Sequence, residues 1–139
     1  EFIMLEKKLK EVIKKILYNP KNKNWFKDAV DESIYGRALK IMKKNGITDM
    51  DKIYLQMGLG DCFSIIRSHK DLFFPIFISE NKTFSFTNST ILEGAFSTIG
   101  IMRANLEAHY TGAEIKSGDE GVLKIYLEKI NKCLDEALE

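Results

Sequence analysis

The sequence predicts an α+β fold, with a mainly antiparallel sheet of about four to five strands packed with N-terminal helices and a central helix. Three features point there. Apolar residues recur at helical spacing through residues 3–46. After Gly58-Leu59-Gly60 they give way to short runs rich in β-branched and aromatic side chains. From about Ser89 the helical spacing returns, followed by two more strand-like stretches.

Taken in order, Ile3–Tyr18 places Leu5, Leu9, Val12, Ile13, Ile16 and Leu17 on one helical face and lysines on the other. Asn19-Pro20 ends it, because the residue before proline avoids the helical region. A second helix is expected from Asn24, as N-cap, to Gly46, with Lys43-Lys44 near its negative end and Asn45-Gly46 as the stop. Thr48 or Asp49 caps a short helix over Met50–Met57. Cys62–Ile66 and Leu72–Ile78 read as strands joined by the loop Arg67–Asp71, with Pro75 placing the second at a sheet edge. Thr83–Thr87 alternates like a half-buried strand. A helical region begins near Ser89, its main piece Phe96–Tyr110 ending at Thr111-Gly112. Ala113–Ser117 is a strand candidate, Gly118–Gly121 a turn, Val122–Leu127 a strand and Glu128–Leu138 a final helix.

The chain has 139 residues, a mass of 16.0 kDa and a formal net charge of +1. That length fits an N-terminal amphipathic helix (1–20) and a single α+β ligand-binding domain (21–139). The near-neutral charge argues against a nucleic-acid-wrapping domain, and no apolar run is long enough for a transmembrane segment. Cys62 and Cys133 form no CxxC or zinc-ligand spacing, so a reduced, cytoplasmic protein is expected. Sequons at Asn81 and Asn88 read as chance matches without a secretory signal. Abundant lysine and isoleucine with few arginines fit an A+T-rich, thermophilic source.

Chemistry-bearing motifs are sparse. Gly58-Leu59-Gly60-Asp61 is a bare GxG, read as a tight turn rather than a phosphate cradle. His69 and His109 stand apart, the first solvated in a loop and the second near a helix C-terminus. No metal and no cofactor are called for. Asp61 beside Cys62 disfavours a thiolate, so Cys62 reads as a core residue. Arg103, in an otherwise small and apolar stretch, reads either as a clamp for a carboxylate or phosphate or as an i,i+4 partner of Glu107.

An ordered series of short features spans Ile34–Ile130. Tyr35-Gly36-Arg37-Ala38-Leu39 lies in a helix and is followed by Gly58-Leu59-Gly60. Asn88-Ser89 precedes the helix containing Gly100-Ile101-Met102-Arg103-Ala104-Asn105-Leu106-Glu107. Gly112-Ala113-Glu114, Gly118-Asp119 and Val122–Leu127 complete the series. It resembles the 4-vinyl reductase, or hydrocarbon-binding, domain family, whose fold is similar to that of the transport protein particle subunits. Cysteines that often hold a metal in that family correspond here to Ser97, Ser117 and Val122. The resemblance implies a homodimeric α+β module that holds a small apolar ligand without metal and acts in sensing or as an accessory.

The expected function is therefore non-enzymatic binding of a small apolar or hydrocarbon-like ligand between sheet and central helix. Phe63, Ile65, Phe74, Ile76, Phe96, Ile99 and Met102 are the candidate lining, with Arg103 engaging a polar head group. One alternative is an assembly subunit dimerising through helices, its first helix joining a partner. Another is an enzyme or accessory factor acting on a tetrapyrrole-like substrate.

Overall fold

The computed structural model describes residues 2–79, 84–108 and 117–139, without the side chains of 105–108 and 117–120. The elements are α1 (Phe2–Leu17), α2 (Trp25–Ala29), α3 (Glu32–Lys44), a 3-10 helix (Met50–Gln56), α4 (Leu59–Ser68), α5 (Lys70–Phe77), α6 (Ser89–Ala108) and α7 (Ser117–Leu138). Among the described residues there is no strand and no sheet, and the predicted α+β fold is overturned by an all-helical one. The transport-particle-like architecture implied by the resemblance falls with it.

Each expected strand that lies in a described segment has a physical reason to be helical. In α4, Leu59, Cys62, Phe63 and Ile66 are buried at i, i+3, i+4 and i+7, which is one helical face. A short apolar run fits a buried helix as well as a strand, and burial decides between them. In α5, Phe73, Phe74 and Phe77 point inward. Pro75 is exposed, so the Asp71 carbonyl it leaves without a helical partner is on the solvent side. The stretch Val122–Leu127 is the start of a longer stripe, in which Leu123, Leu127, Ile130 and Leu134 are buried at alternating steps of four and three along α7. Gly118–Gly121, expected as a turn, belongs to α7 as well.

Within the expected strand Thr83–Thr87, the described part makes a single isolated parallel bridge between Phe86 and Ile78. The Phe86 N–H donates to the Phe77 carbonyl at 2.8 Å, fastening the chain after α5. Residues 113–116 of the strand candidate Ala113–Ser117, and the stop Thr111-Gly112, lie outside the described residues.

The helices at the two ends of the chain pack together. Leu5, Leu9, Val12 and Ile13 of α1 are fully buried, and α1 lies mainly on α7 and also on α4. Each such side chain contributes about 1.5–3 kcal/mol when fully removed from water. Lys8 pairs with Asp135 at 2.9 Å, and Lys15 Nζ donates to the Ala137 carbonyl at 2.6 Å. α7 has no basic residue in its own last turn, so α1 supplies the positive charge that its C-terminus favours.

The single helix expected over Asn24–Gly46 is two helices. Val30 is extended, and Asp31 starts α3 by accepting a hydrogen bond from the Ile34 N–H at 2.9 Å. Asn24 makes no side-chain cap. The stop at Gly46 is as expected. Its φ is +68°, the Ile47 N–H donates to the Met42 carbonyl at 2.9 Å, and the Gly46 N–H donates to Lys43 at 3.3 Å, the Schellman pattern. Gly58 and Gly60 adopt no positive φ. Gly58 is the N-cap of α4, and the Asp61 carboxylate accepts from its N–H at 3.1 Å.

Candidate functional site

α4, α5 and α6 bring three phenylalanines together. Phe63 of α4 stacks on Phe96 of α6 with ring centroids 4.6 Å apart and planes 22° from parallel. Phe77 of α5 meets the same Phe96 ring edge-on at 5.6 Å. Offset-stacked and edge-to-face pairs are the arrangements that the ring quadrupole favours. Of the predicted lining residues, Phe63, Ile65, Phe74, Phe96 and Ile99 are buried, while Ile76 and Met102 are half-buried against the same core. Among the described residues there is no sheet to form one wall of that pocket. Phe63 and Phe96 touch each other rather than facing across a gap.

Phe74 and Ile76 reach two recesses on the outer side of α5. One, about 460 Å³, is lined by Lys70, Asp71, Phe74, Pro75 and Ile78, with the Lys70 ammonium 5.6 Å from the Phe74 ring centroid. The other, about 200 Å³, lies between Pro75 and Ile76 of α5 and Cys133, Glu136 and Ala137 of α7. The larger falls in the size range of small-molecule sites. A third recess, about 450 Å³, is lined by residues 67–72. Two of its basic groups are engaged, Arg67 with Ser97 Oγ at 3.3 Å and Lys70 with Glu93 at 3.2 Å.

Arg103 pairs with Glu6 of α1, Nη1 to Oε2, at 2.9 Å. The other oxygen of Glu6 meets Lys10 at 3.0 Å. A carboxylate between two cations thus ties α6 to α1, a contact across 97 residues that local spacing around Arg103 does not signal. His69 is not merely solvated. Its Nε2 lies 2.8 Å from the Ala29 carbonyl and, as donor, satisfies the last residue of α2. His109 lies outside the described residues. Burial pushes the Cys62 thiol up to about 12, more than offsetting the nearby Lys10, so this cysteine is chemically quiet. Asn88 is the cap of α6, its Oδ1 accepting from the Ile91 N–H at 2.9 Å.

No family model, no curated protein and no solved structure matches this chain. Nothing among these comparisons identifies a 4-vinyl reductase domain.

The surface carries a feature that sequence reasoning missed. Along α6, Thr90, Ile91, Gly94, Ser97, Ile101 and Ala104 are exposed, and none is charged. Ile101 is 60% exposed. The exposed residues of α7 mix Lys124, Glu128, Lys132, Asp135 and Glu136 with Val122 and Ile125. The signal was available, because Thr90, Gly94, Ser97, Ile101 and Ala104 follow steps of four and three. Among the described residues, no helix is long and apolar enough to cross a membrane.

Proposed function

We propose that this chain is a non-catalytic assembly module that acts as a homodimer by pairing helices. The observation behind this reading is the uncharged, solvent-facing side of α6, with Ile101 its most exposed side chain among the large hydrophobics, in a chain whose residues are 29% charged. Exposed apolar surface of this kind marks interaction sites. The first helix buries Leu5, Leu9, Val12 and Ile13 within its own chain and exposes Ile3 and Met4 at its start, so most of its apolar face is already occupied. The module works in the cytoplasm, where its two buried thiols, Cys62 and Cys133, stay reduced. Sedimentation equilibrium over a range of concentrations tests the reading. A mass rising from 16.0 kDa towards twice that value supports it, and a monomer throughout refutes it.

A second reading keeps a small apolar ligand. It is favoured by the recess at Lys70, Asp71, Phe74, Pro75 and Ile78, where a buried ring and a proline form the floor beside one cation and one carboxylate. Native mass spectrometry followed by denaturing extraction tests it. An added small mass that Phe74→Ala removes supports this site, and retention of that mass by the variant refutes it.

A further inference from the structure

We propose that Asn45 is a self-modification site: an asparagine primed to deamidate, held back by the cap of α3, whose conversion marks chains in which that cap has opened. The chemistry is intramolecular. The Gly46 backbone nitrogen, having given up its proton, bonds to Cγ of Asn45. The Cγ–Nδ2 bond breaks, and the amide nitrogen takes up a proton and leaves as ammonia. Water then opens the five-membered imide, its hydroxyl adding to one carbonyl carbon and its hydrogen returning to the imide nitrogen. Position 45 ends as an aspartate or, where the backbone carbonyl is the one opened, as its β-linked isomer. The attack is least hindered where the following residue has no Cβ, and among the chain's asparagines only Asn45 precedes a glycine.

The fold sets its geometry against this reaction. Imide closure requires the Gly46 nitrogen to eclipse Cβ of Asn45. With Asn45 at φ −96° and ψ 4°, that nitrogen eclipses the Asn45 nitrogen instead, about a third of a turn from Cβ around the Cα–C bond. The Gly46 N–H is also engaged, donating to the Lys43 carbonyl at 3.3 Å, while the Ile47 N–H donates to the Met42 carbonyl at 2.9 Å. Both bonds depend on the φ of +68° at Gly46. Met42 is buried and Ile47 is half-buried against the core, so side chains anchor the cap as well as backbone. Asn45 and Gly46 are themselves exposed, so water reaches the site and the backbone conformation alone withholds the reaction. Exposed helix ends open more readily than the body of a domain, and each opening frees ψ of Asn45 to rotate. Reclosure after reaction is not equivalent. The β-linked isomer adds one backbone atom between positions 45 and 46, so the Ile47 N–H and the Met42 carbonyl no longer meet in register. Either product also places a carboxylate at the negative end of α3, beside Lys43 and Lys44.

The test incubates the full chain at mildly alkaline pH, folded in buffer and unfolded in guanidinium chloride, and follows position 45 by peptide mapping. In the unfolded chain, the peptide bearing Asn45 acquires the mass of amide-to-acid conversion before any other asparagine peptide, and it separates into aspartyl and β-linked forms. The folded chain converts at least about tenfold more slowly. Ile47→Ala removes the side chain that anchors the cap, so the folded variant converts at least about threefold faster than the folded parent, while the two unfolded chains convert alike. Emission from the buried Trp25 verifies that the variant is folded. Equal rates in the folded and unfolded parent overturn the protection, and an Asn45 that outlasts the other asparagines in the unfolded chain overturns the site. A folded Ile47→Ala chain that converts no faster than the parent overturns the cap as the gate. The comparison within the parent stands even where the variant does not fold.

Discussion

Replacing Phe96 by alanine measures how completely the middle of the molecule is filled. The ring is fully buried, stacked on Phe63 at 4.6 Å and met edge-on by Phe77 at 5.6 Å. Phe→Ala in a core costs about 3–5 kcal/mol, from lost transfer energy plus the cavity left behind. Two aromatic contacts each add about 0.5–1.5 kcal/mol beyond buried area, which places this site at the top of that range, at about 5 kcal/mol. Domains of this size are stable by about 5–15 kcal/mol, so the variant loses a third or more of its stability. Urea unfolding reads this directly, because Trp25 is the sole tryptophan and is buried. At an m-value of about 2 kcal/mol/M, the midpoint falls by about 2.5 M. Phe96→Leu keeps most of the volume but loses both ring contacts, so it costs about 1–3 kcal/mol, less than the alanine variant. A loss below about 1.5 kcal/mol for Phe96→Ala would refute the packed core and revive an interior ligand cavity between α4 and α6.

Two further outcomes follow from single hydrogen bonds and burial. The Ser33 hydroxyl, then the Ile34 N–H, hold the Asp31 carboxyl below its ordinary value of 3.8, so the folded state favours its charged form. That stabilisation is complete above the ordinary value and drains away as the pH falls through the lowered one. Thermal melts from neutral to acidic pH should show Asp31→Asn removing that share of the acid sensitivity; an unchanged acid limb rules out this cap as a contributor. For Cys62, iodoacetamide at mildly alkaline pH should leave the thiol unlabelled in folded protein and alkylate it in urea, as read by mass spectrometry of its peptide. Rapid labelling of the folded protein contradicts the burial that raises this thiol.

Parts of this fold were legible where one face of one element decided the matter. Leu5, Leu9, Val12 and Ile13 announce α1, and Asn45-Gly46 announces the end of α3 with its positive φ. Strands were inferred where composition stood in for spacing. Phenylalanine and isoleucine favour strands only as side chains that fit a half-buried pleated surface, and in α4 and α5 the same residues are buried on helices packed against α6 and α7. Leu123 and Leu127 looked like alternation until joined to Ile130 and Leu134, which reveal one long helical stripe. The break at Val30-Asp31 turns on one side-chain hydrogen bond. Among the predicted site residues, aromatic density marks where large side chains gather, but density alone does not distinguish a lined hollow from a filled one. The Arg103–Glu6 pair depends on helices meeting in space, which no local pattern around Arg103 contains.

The embrace of α1 by α7 also has a kinetic meaning. Lys15 and the Ala137 carbonyl that it holds are 122 residues apart, so this contact can form only after almost the whole described chain has been synthesised. Helical proteins usually fold quickly because their contacts are local, and here a principal seam is as non-local as the chain permits. During synthesis, Leu5, Leu9, Val12 and Ile13 emerge well before α7, on which α1 packs. Until α7 follows, the nascent chain presents an uncovered amphipathic helix to whatever surrounds the ribosome.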